Sequence, residues 1–388
     1  EMMLMFFHAR SREAVKNNVN KYFVSEDVFS HSLAVIKTNA APLGIEVVVG
    51  KADQVELDGT FFGAMVQYPN QHGAIHDYSA FVAKAKEHNI FVGAAADLMS
   101  LTLLTPPGEW GADCVMGSTQ RFGNPMGFGS PAAGYFACKE EFKRQMPGRI
   151  IGVSVDAMGN RAVRMALQTR EQHIKRDKAT SNICTASALT AIMAGFYGMW
   201  FGADGLRKKA TRINVLAGVL AKEAEKYGYK QYNEYFFDTL CFEVPAGITI
   251  AKVKETALAH KVNFCYWCDS CFTVALDETV NLEDVNLILQ IFAEAAQKEF
   301  TPYVCQKCTT PALNIPEKLK RNSAFMTQDI FNKYHSETEM MRYMKRLEIM
   351  DLSLNRAMIP LGSCTMKLNA AAEMLPLSWP ELCSIHPF

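Results

Sequence analysis

The chain has 388 residues, which is enough for two or three domains of the usual ~100–200 residues. Hydrophobic residues make up 49% of it and charged residues 21%, proportions that are typical of globular proteins and exclude disordered or fibrous ones. The 40 basic and 40 acidic side chains cancel. No excess charge therefore favours nucleic acid or an anionic membrane as a partner.

Both ends of the sequence have the character of interior segments. Residues 1–7 have the pattern of an amphipathic helix and lack the basic region and cleavage site of a signal peptide. Residues 384–388 also stop within a segment. We therefore expect the sequence to be part of a longer polypeptide.

Short apolar runs alternate with helical patterns in the first third of the chain. Strands are predicted at 21–24, 45–49, 61–68 and 90–95, and helices at 32–38 and 78–88. Apolar strands separated by helices are typical of a largely parallel sheet with helices on its faces. The predicted fold class is α/β.

Residues 185–203 are the longest apolar stretch. A membrane span needs ~20 apolar residues, but Thr190 and several glycines interrupt this stretch, so we expect a buried interface helix. A basic amphipathic helix is predicted over 205–226. Beyond it, strands are predicted at 239–244 and 272–276, and helices at 250–260, 282–297 and 336–354.

These elements predict four parts of the chain. A large α/β domain occupies residues 1–204, and a smaller α/β domain occupies residues 205–298. Residues 299–335 carry three prolines and little periodicity, which indicates a linker. A new segment extends from residue 336 to residue 388.

Three long segments resemble one protein family closely. The first extends from Gly111 to Gly129, the second lies within 146–185, and the third combines 334–343 with 358–369. On these segments the chain resembles the P-protein of the glycine cleavage system, the pyridoxal-phosphate-dependent glycine decarboxylase. With the weaker similarity between them, the segments cover almost the whole chain.

The resemblance implies a fold-type-I pyridoxal-phosphate-dependent transferase architecture, truncated at its N-terminus. The family has two related halves, and only the second half carries the lysine that binds the cofactor. By this resemblance the chain comprises most of the first, non-catalytic half, and residues 336–388 are the beginning of the catalytic half. We expect this fragment alone to be inactive.

The resemblance also implies a reaction and partners for the complete enzyme. Glycine is decarboxylated, and its aminomethyl group passes to the lipoyl arm of the H-protein. The implied partners are glycine, the lipoylated H-protein and the catalytic half, which is fused or a separate subunit, in a homodimer or a heterotetramer. Neither nucleic acid nor a membrane is expected. The expected compartment is the cytoplasm in a bacterium and the mitochondrial matrix in a eukaryote.

Gln120 stands at the position of the family's Schiff-base lysine, which the shared Phe122 and Pro125 fix. An amide cannot form an imine, so no catalytic residue is expected in this chain. Asp97 follows a strand where the family places the acid that pairs with the pyridine nitrogen. We favour the alternative that Asp97 caps the next turn, because a relic site has no cofactor to pair with. Residues 25–31 also lack a histidine at the ring-stacking position.

Residues 180–185 match the segment that reaches the phosphate in the partner's active site. Ser181, Asn182 and Thr185 are therefore the predicted cofactor contacts, because short polar side chains at a helix start suit an anion. The alternative is simple capping of the helix that follows.

The predicted substrate contacts lie in two segments: Arg170 and His173, then Ser363, Cys364 and Thr365. In the family the first segment lines the mouth of the active site, where an arginine steers a carboxylate or an acidic partner. A structural role for these two residues stays open. The second segment would fold over the substrate pocket and offer hydroxyls and backbone amides to the carboxylate.

Eleven cysteines do not form the dense framework of a small secreted domain, so a reducing compartment is expected. Two groups have spacings typical of zinc ligands: Cys265, Cys268 and Cys271, and Cys305 and Cys308. The first three lie where the family has arginine and other polar residues. We therefore predict no metal and interpret these residues as idiosyncratic thiols.

Two other functions stay open on the sequence. One is a self-sufficient aminotransferase-like enzyme, against which Gln120 argues. The other is a zinc-bearing, non-enzymatic interaction module.

Overall fold

The computed structural model describes residues 1–129, 132–148, 150–167, 172–179, 187–305, 312–350, 353, 356 and 370–387. Within these ranges the chain forms eleven α-helices, numbered in chain order: α1 (Met2–His8), α2 (Arg12–Lys16), α3 (Ser30–Ala40), α4 (Ser79–Glu87), α5 (Gln172–Lys175), α6 (Ala188–Ala224), α7 (Ile250–Ala259), α8 (Leu282–Ala295), α9 (Glu337–Ile349), α10 (Ala371–Met374) and α11 (Pro380–Cys383).

The same ranges contain twelve strands: β1 (Lys21–Ser25), β2 (Glu46–Gly50), β3 (Phe61–Tyr68), β4 (Phe91–Ala96), β5 (Cys114–Ser118), β6 (Gly134–Cys138), β7 (Ile150–Val155), β8 (Arg161–Leu167), β9 (Lys230–Gln231), β10 (Thr239–Glu243), β11 (Cys265–Tyr266) and β12 (Cys271–Ala275). All the strands and helices predicted in the first third of the chain are confirmed, with ends that differ by one or two residues.

Six strands form the large sheet in the order β2-β1-β3-β4-β5-β6. The first five strands of this order run parallel to one another, and β6 is antiparallel to β5, with Cys114 opposite Cys138. The predicted α/β class with a largely parallel sheet is therefore confirmed.

Both faces of the large sheet are covered, as a parallel sheet requires. Phe23 on β1 packs into a core with side chains of α4 and α6, whereas its neighbours Tyr22 and Val24 pack into a core with side chains of α1 and α3. Every residue of β3 is buried. This double burial explains why the central strands are continuous apolar runs rather than alternating ones.

The small sheet is antiparallel and has the order β11-β12-β10-β9. Its core contains Phe242, Phe272 and Phe292, and the ring centroids of Phe242 and Phe272 lie 5.2 Å and 5.6 Å from that of Phe292. The predicted succession of helices and strands over this part is confirmed. The two short strands β9 and β11 were not predicted.

One helix, α6, contributes to both cores. Leu206, Ala210 and Ile213 belong to the core of the large sheet, whereas Leu216 and Leu220 belong to the core of the small sheet. The predicted domain bounds stay a prediction. Among the described residues, no helix combines the length and the apolar character that crossing a membrane requires.

The two helical patterns predicted on either side of residue 204 form a single helix with one interruption. Gly202 has φ 60° and ψ −177° inside α6, a conformation that is essentially restricted to glycine. A Cβ at Gly202 would lie 2.7 Å from the carbonyl oxygen of Phe331. The interruption therefore lets the backbone of residues 329–332 approach α6.

The segment beyond residue 336 packs on the first part of α6. The ring of Tyr343 lies 6.2 Å from that of Phe196, and His335 Nδ1 donates a hydrogen bond to Trp200 O at 2.7 Å. Near the end of the chain, the N–H of Gly127 donates to Cys383 O at 2.9 Å. These contacts attach both described parts of the segment to α6 and to the loop after β5.

Replacement of Gly202 by alanine is expected to lower the free energy of unfolding by about 2–4 kcal/mol, because the new side chain meets both an unfavourable φ and the Phe331 carbonyl. Gly195→Ala is the matched control in the same helix. A Cβ at Gly195 meets nothing within 4 Å, so this change should be neutral or should stabilise by up to ~1 kcal/mol. Urea unfolding of both variants measures the difference, and equal effects would contradict the assigned strain.

Candidate functional site

The candidate site lies at the carboxyl edge of the large sheet, where ligands bind in open parallel sheets. A cleft of ≈ 690 Å³ opens there between the sheet and the first residues of β10. The residues that end or follow strands line it: Asn70 after β3, Asp97 after β4, Ser118 and Gln120 at the end of β5, Arg121, and Asp238 before β10.

Asp97 uses both carboxylate oxygens within the protein. Its Oδ1 accepts a hydrogen bond from the backbone N–H of Met99 at 3.0 Å. Its Oδ2 lies 2.5 Å from Nη1 of Arg121. Asp97 thus caps the turn that follows β4, as the favoured alternative expected, and it also forms an ion pair that the sequence did not predict.

Arg121 joins three carboxylates that come from separate parts of the chain. Besides Asp97, its Nη1 lies 2.5 Å from Oδ2 of Asp238, and its Nε lies 3.3 Å from Oε2 of Glu278. The four side chains retain only 14–23% of their exposure. The guanidinium carbon also lies 5.6 Å from the ring centroid of Phe237. We call Arg121, Asp97, Asp238 and Glu278 the arginine cluster.

The cluster favours a permanently charged guanidinium. Burial opposes the charge on Arg121, but Asp97, Asp238 and Glu278 outweigh it and raise the pKa of the guanidinium. Burial also raises the pKa of the Asp238 carboxyl, and Arg121 partly offsets this rise. With three acids around one base, removal of Arg121 would leave like charges close together.

Pyridoxal phosphate does not fit the residues of this cleft. The cofactor needs a lysine for its imine and a free carboxylate for its ring nitrogen. Gln120, whose N–H donates to Ser118 Oγ at 3.1 Å, lines the cleft with an amide. Arg121 already occupies the carboxylate of Asp97. The described lining of the cleft therefore meets neither requirement of the cofactor.

An aromatic pair also lines the cleft. Phe29 and His31, at the start of α3, both line it, and their rings stack with centroids 5.4 Å apart and planes 13° apart. The sequence did not predict a histidine in the cleft. Stacking on Phe29 accounts for the orientation of the His31 ring without any bound molecule.

Most of the predicted contacts to cofactor and substrate lie outside the described residues: Arg170, Ser181, Asn182, Thr185, Ser363, Cys364 and Thr365. His173 belongs to α5. These assignments stay predictions.

Three of the cysteines with zinc-like spacing lie in the hairpin of β11 and β12 in the small sheet. Cys265 is on β11 and Cys271 begins β12, with Cys268 in the exposed turn between them. Cys305 is exposed, and Cys308 lies outside the described residues. Across the described part of the chain, no group of three or more His, Cys, Asp or Glu side chains is arranged to hold a metal ion.

Sequence reasoning missed the residues that complete the arginine cluster. Arg121 directly follows the position of the absent lysine, and this adjacency was the available signal. Asp238 precedes β10 and Glu278 follows β12, so both carboxylates come from the small sheet. Nothing local in the sequence indicated that the small sheet brings them to the cleft.

A mainly parallel sheet with its cleft at the carboxyl edge, beside a small antiparallel sheet, defines the fold-type-I class of pyridoxal-phosphate enzymes. A crystal structure of glycine decarboxylase (P-protein) of the glycine cleavage system, in inhibitor-bound form, matches with a TM-score of 0.68 at 28% identity, over 76% of this chain and 68% of that chain. A C-DES mutant with glycine covalently linked to its PLP cofactor shares the fold at a TM-score of 0.52 and 12% identity, over 72% and 75% of the two chains.

Sequence comparison identifies the family within this class. A model of the glycine cleavage system P-protein family matches residues 2–292. Glycine dehydrogenase (decarboxylating) of Flavobacterium johnsoniae is 53% identical over 388 residues, and that of Bacteroides thetaiotaomicron is 50% identical over 387 residues. The chain belongs to the glycine cleavage system P-protein family. It spans 40% of the length of these two relatives.

Replacement of Arg121 by glutamine is expected to lower the free energy of unfolding at pH 7 by about 2–4 kcal/mol. Breaking a buried ion pair costs ~3–5 kcal/mol, and the residual exposure of this cluster reduces the loss. Burial raises the pKa of the Asp238 carboxyl, and without Arg121 nothing in the cluster offsets this rise. Stability therefore falls as pH rises above about 4, and the deficit nearly vanishes below that pH.

Arg121→Lys is the matched control, because it keeps the charge and loses only the second donor arm. It should retain more than half of the lost stability. Urea unfolding at pH 4 and pH 7 separates the effects. A glutamine variant as stable as the parent at pH 7 would show that the cluster does not hold the two sheets together.

Proposed function

We propose that this chain is the non-catalytic half of a glycine decarboxylase and that it completes and supports an active site in the other half of the protein. The complete enzyme would use pyridoxal phosphate to decarboxylate glycine and would pass the aminomethyl group to the lipoyl arm of H-protein. Membership of the P-protein family and the names of the bacterial relatives support this assignment.

The observation that carries the proposal is the identity of two side chains that line the cleft. Gln120 supplies an amide where the fold needs an amine, and Arg121 neutralises the carboxylate that would face the ring nitrogen. Both features argue against a self-sufficient aminotransferase. The third candidate, a zinc-bearing module, gains no support from the described cysteines.

The contribution of this half is structural and positional. We propose that Ser181, Asn182 and Thr185 reach the cofactor phosphate of the partner site, and that Arg170 and His173 line its mouth. Ser363, Cys364 and Thr365, at the beginning of the catalytic half, would offer donors to the glycine carboxylate. An anion suits the free N–H groups and the dipole at a helix start.

The proposed partners are the catalytic half, fused or separate, and the lipoylated H-protein, in a homodimer or a heterotetramer. The proposed compartment is the bacterial cytoplasm, which the bacterial sources of the relatives support, or the mitochondrial matrix in a eukaryote.

Borohydride reduction of the full-length protein with pyridoxal phosphate should place the phosphopyridoxyl lysine outside residues 1–388. Gln120→Lys is the sharper variant, because it restores an amine while Arg121 still occupies Asp97. It should acquire no adduct at position 120. Peptide mapping by mass spectrometry locates the adduct. A stoichiometric adduct on any lysine of this chain would refute the assignment of a non-catalytic half.

The pair Ser181→Ala and Thr185→Ala should weaken cofactor binding by the full-length enzyme at least tenfold. Each hydrogen bond to a charged acceptor contributes about 1.5–3 kcal/mol, and 1.4 kcal/mol is a factor of ten. Capping alone would instead cost ~1 kcal/mol of stability and leave the affinity unchanged.

Thr249→Ala is the matched control for capping. Its side chain accepts from Lys252 N at the start of α7, so it should lose stability without losing cofactor affinity. Cofactor dissociation and thermal unfolding are measured on both variants. If the Ser181 and Thr185 pair behaves like Thr249→Ala, the segment is a helix cap only.

A further inference from the structure

Two free thiols face each other in the turn of the small sheet. Cys268 and Cys271 enclose Asp269 and Ser270, and their sulfur atoms lie 2.7 Å apart. The N–H groups of Trp267 and Cys268 both point at the carbonyl oxygen of Cys271, at 3.2 Å and 3.4 Å. The backbone of the turn therefore holds the two side chains on the same side. Neither thiol has a role in the proposed decarboxylase.

The two thiols have opposite environments. Cys268 is exposed, and hydrogen bonds from the Cys271 thiol and from Ser270 lower its pKa to about 7. Cys271 is half-buried, and burial together with its hydrogen bond to Cys268 raises its pKa. A third thiol, Cys241 on the adjacent strand β10, is buried beside Cys271, and burial raises its pKa as well. Of these three thiols, Cys268 alone combines exposure with thiolate character at neutral pH.

We propose that Cys268 and Cys271 form a redox-active dithiol that exchanges with low-molecular-weight disulfides. Its geometry is a C-x-x-C pair with one accessible thiol, one resolving thiol and sulfur atoms already in contact. The inference does not depend on the proposed function of the chain, since the pair lies outside the cleft.

The exchange proceeds in two balanced steps. The Cys268 thiolate attacks one sulfur of a disulfide RS–SR, forms a mixed disulfide and releases RS⁻. The Cys271 thiol then loses its proton and attacks the sulfur of Cys268, which releases the second RS⁻ and closes the protein disulfide. Two electrons pass from the protein dithiol to the small disulfide, and the two released thiolates take up the protons as RSH.

The turn contacts a loop that borders the cleft. The ring of Trp267, next to Cys268, lies 4.7 Å from the ring of His72, and Trp267 Nε1 donates to Thr273 Oγ1 at 3.0 Å. His72 lies in the loop after β3, and this loop also contains Asn70, a residue of the cleft. Closing the disulfide changes the surroundings of Trp267, so its fluorescence reports the reaction.

The test uses the full-length protein, reduced and then exposed to oxidised glutathione at pH 7. Peptide mapping should show a Cys268–Cys271 disulfide that dithiothreitol reverses. Cys271→Ser should stop at a glutathione adduct on Cys268, and Cys268→Ser should form neither product. Cys265→Ser is the matched control, because it removes an exposed thiol of the same hairpin and should react like the parent.

The rate of alkylation by iodoacetamide gives a second measurement. The rate at Cys268 should reach half of its maximum near pH 7, and this midpoint should rise in Cys271→Ala, which removes the hydrogen-bond donor that a serine would keep. At pH 7, Cys268 should react about threefold faster than a cysteine in an unstructured peptide, whose thiol pKa is about 8.5, because its larger thiolate fraction outweighs its lower nucleophilicity.

Three results would overturn the proposal. They are a midpoint near the ordinary thiol value of about 8.5, a first disulfide that excludes Cys268, and bound zinc that protects both thiols until a chelator removes it.

Discussion

The ion pairs of the Arg121 guanidinium are the contacts on which the relative position of the large and small sheets depends. Arg121 lies in the loop after β5, and its guanidinium forms an ion pair with Asp97, which follows β4. It also pairs with Asp238 and Glu278, which flank strands of the small sheet. Three acids converging on one base at low exposure are tolerable only while the base is present. The same interaction therefore orders the carboxyl edge of the large sheet and sets the position of the small sheet against it.

This contact also decides what the cleft can do. The fold-type-I architecture provides a crevice at the carboxyl ends of parallel strands, and its chemistry depends on an amine and a free acid in that crevice. In this chain the crevice persists in shape, with Asp97, Gln120 and Asp238 on its walls. The carboxylates of Asp97 and Asp238, however, already form ion pairs with Arg121. The same fold can therefore occur with or without the chemical activity, and in this chain Gln120 and Arg121 make the difference.

The sequence predicted the elements whose burial is simplest and missed those that depend on distant contacts. Strand β3 was predicted over its full length, because burial on both faces produces an uninterrupted apolar run. The antiparallel hairpin of β7 and β8 was not assigned, although β-branched residues such as Val153 and Val163 are typical of strands; in the structure these valines are exposed. The acidic partners that Arg121 finds in the small sheet were missed because Asp238 lies more than a hundred positions away from it along the chain. Periodicity reports on a residue's own environment, whereas a salt bridge between two sheets depends on the assembled fold.

The sharing of α6 between the two cores limits how the molecule can be divided. A polypeptide that ended at residue 204 would lack Leu206, Ala210 and Ile213, and one face of the large sheet would lose part of its cover. A fragment that began at residue 205 would carry those three side chains without the sheet against which they pack. The two sheets are thus separate as hydrogen-bonded ladders but not as modules that can be exchanged or expressed alone. Recombination between relatives would preserve packing only at crossover points that keep the whole of this helix with both of its sheets.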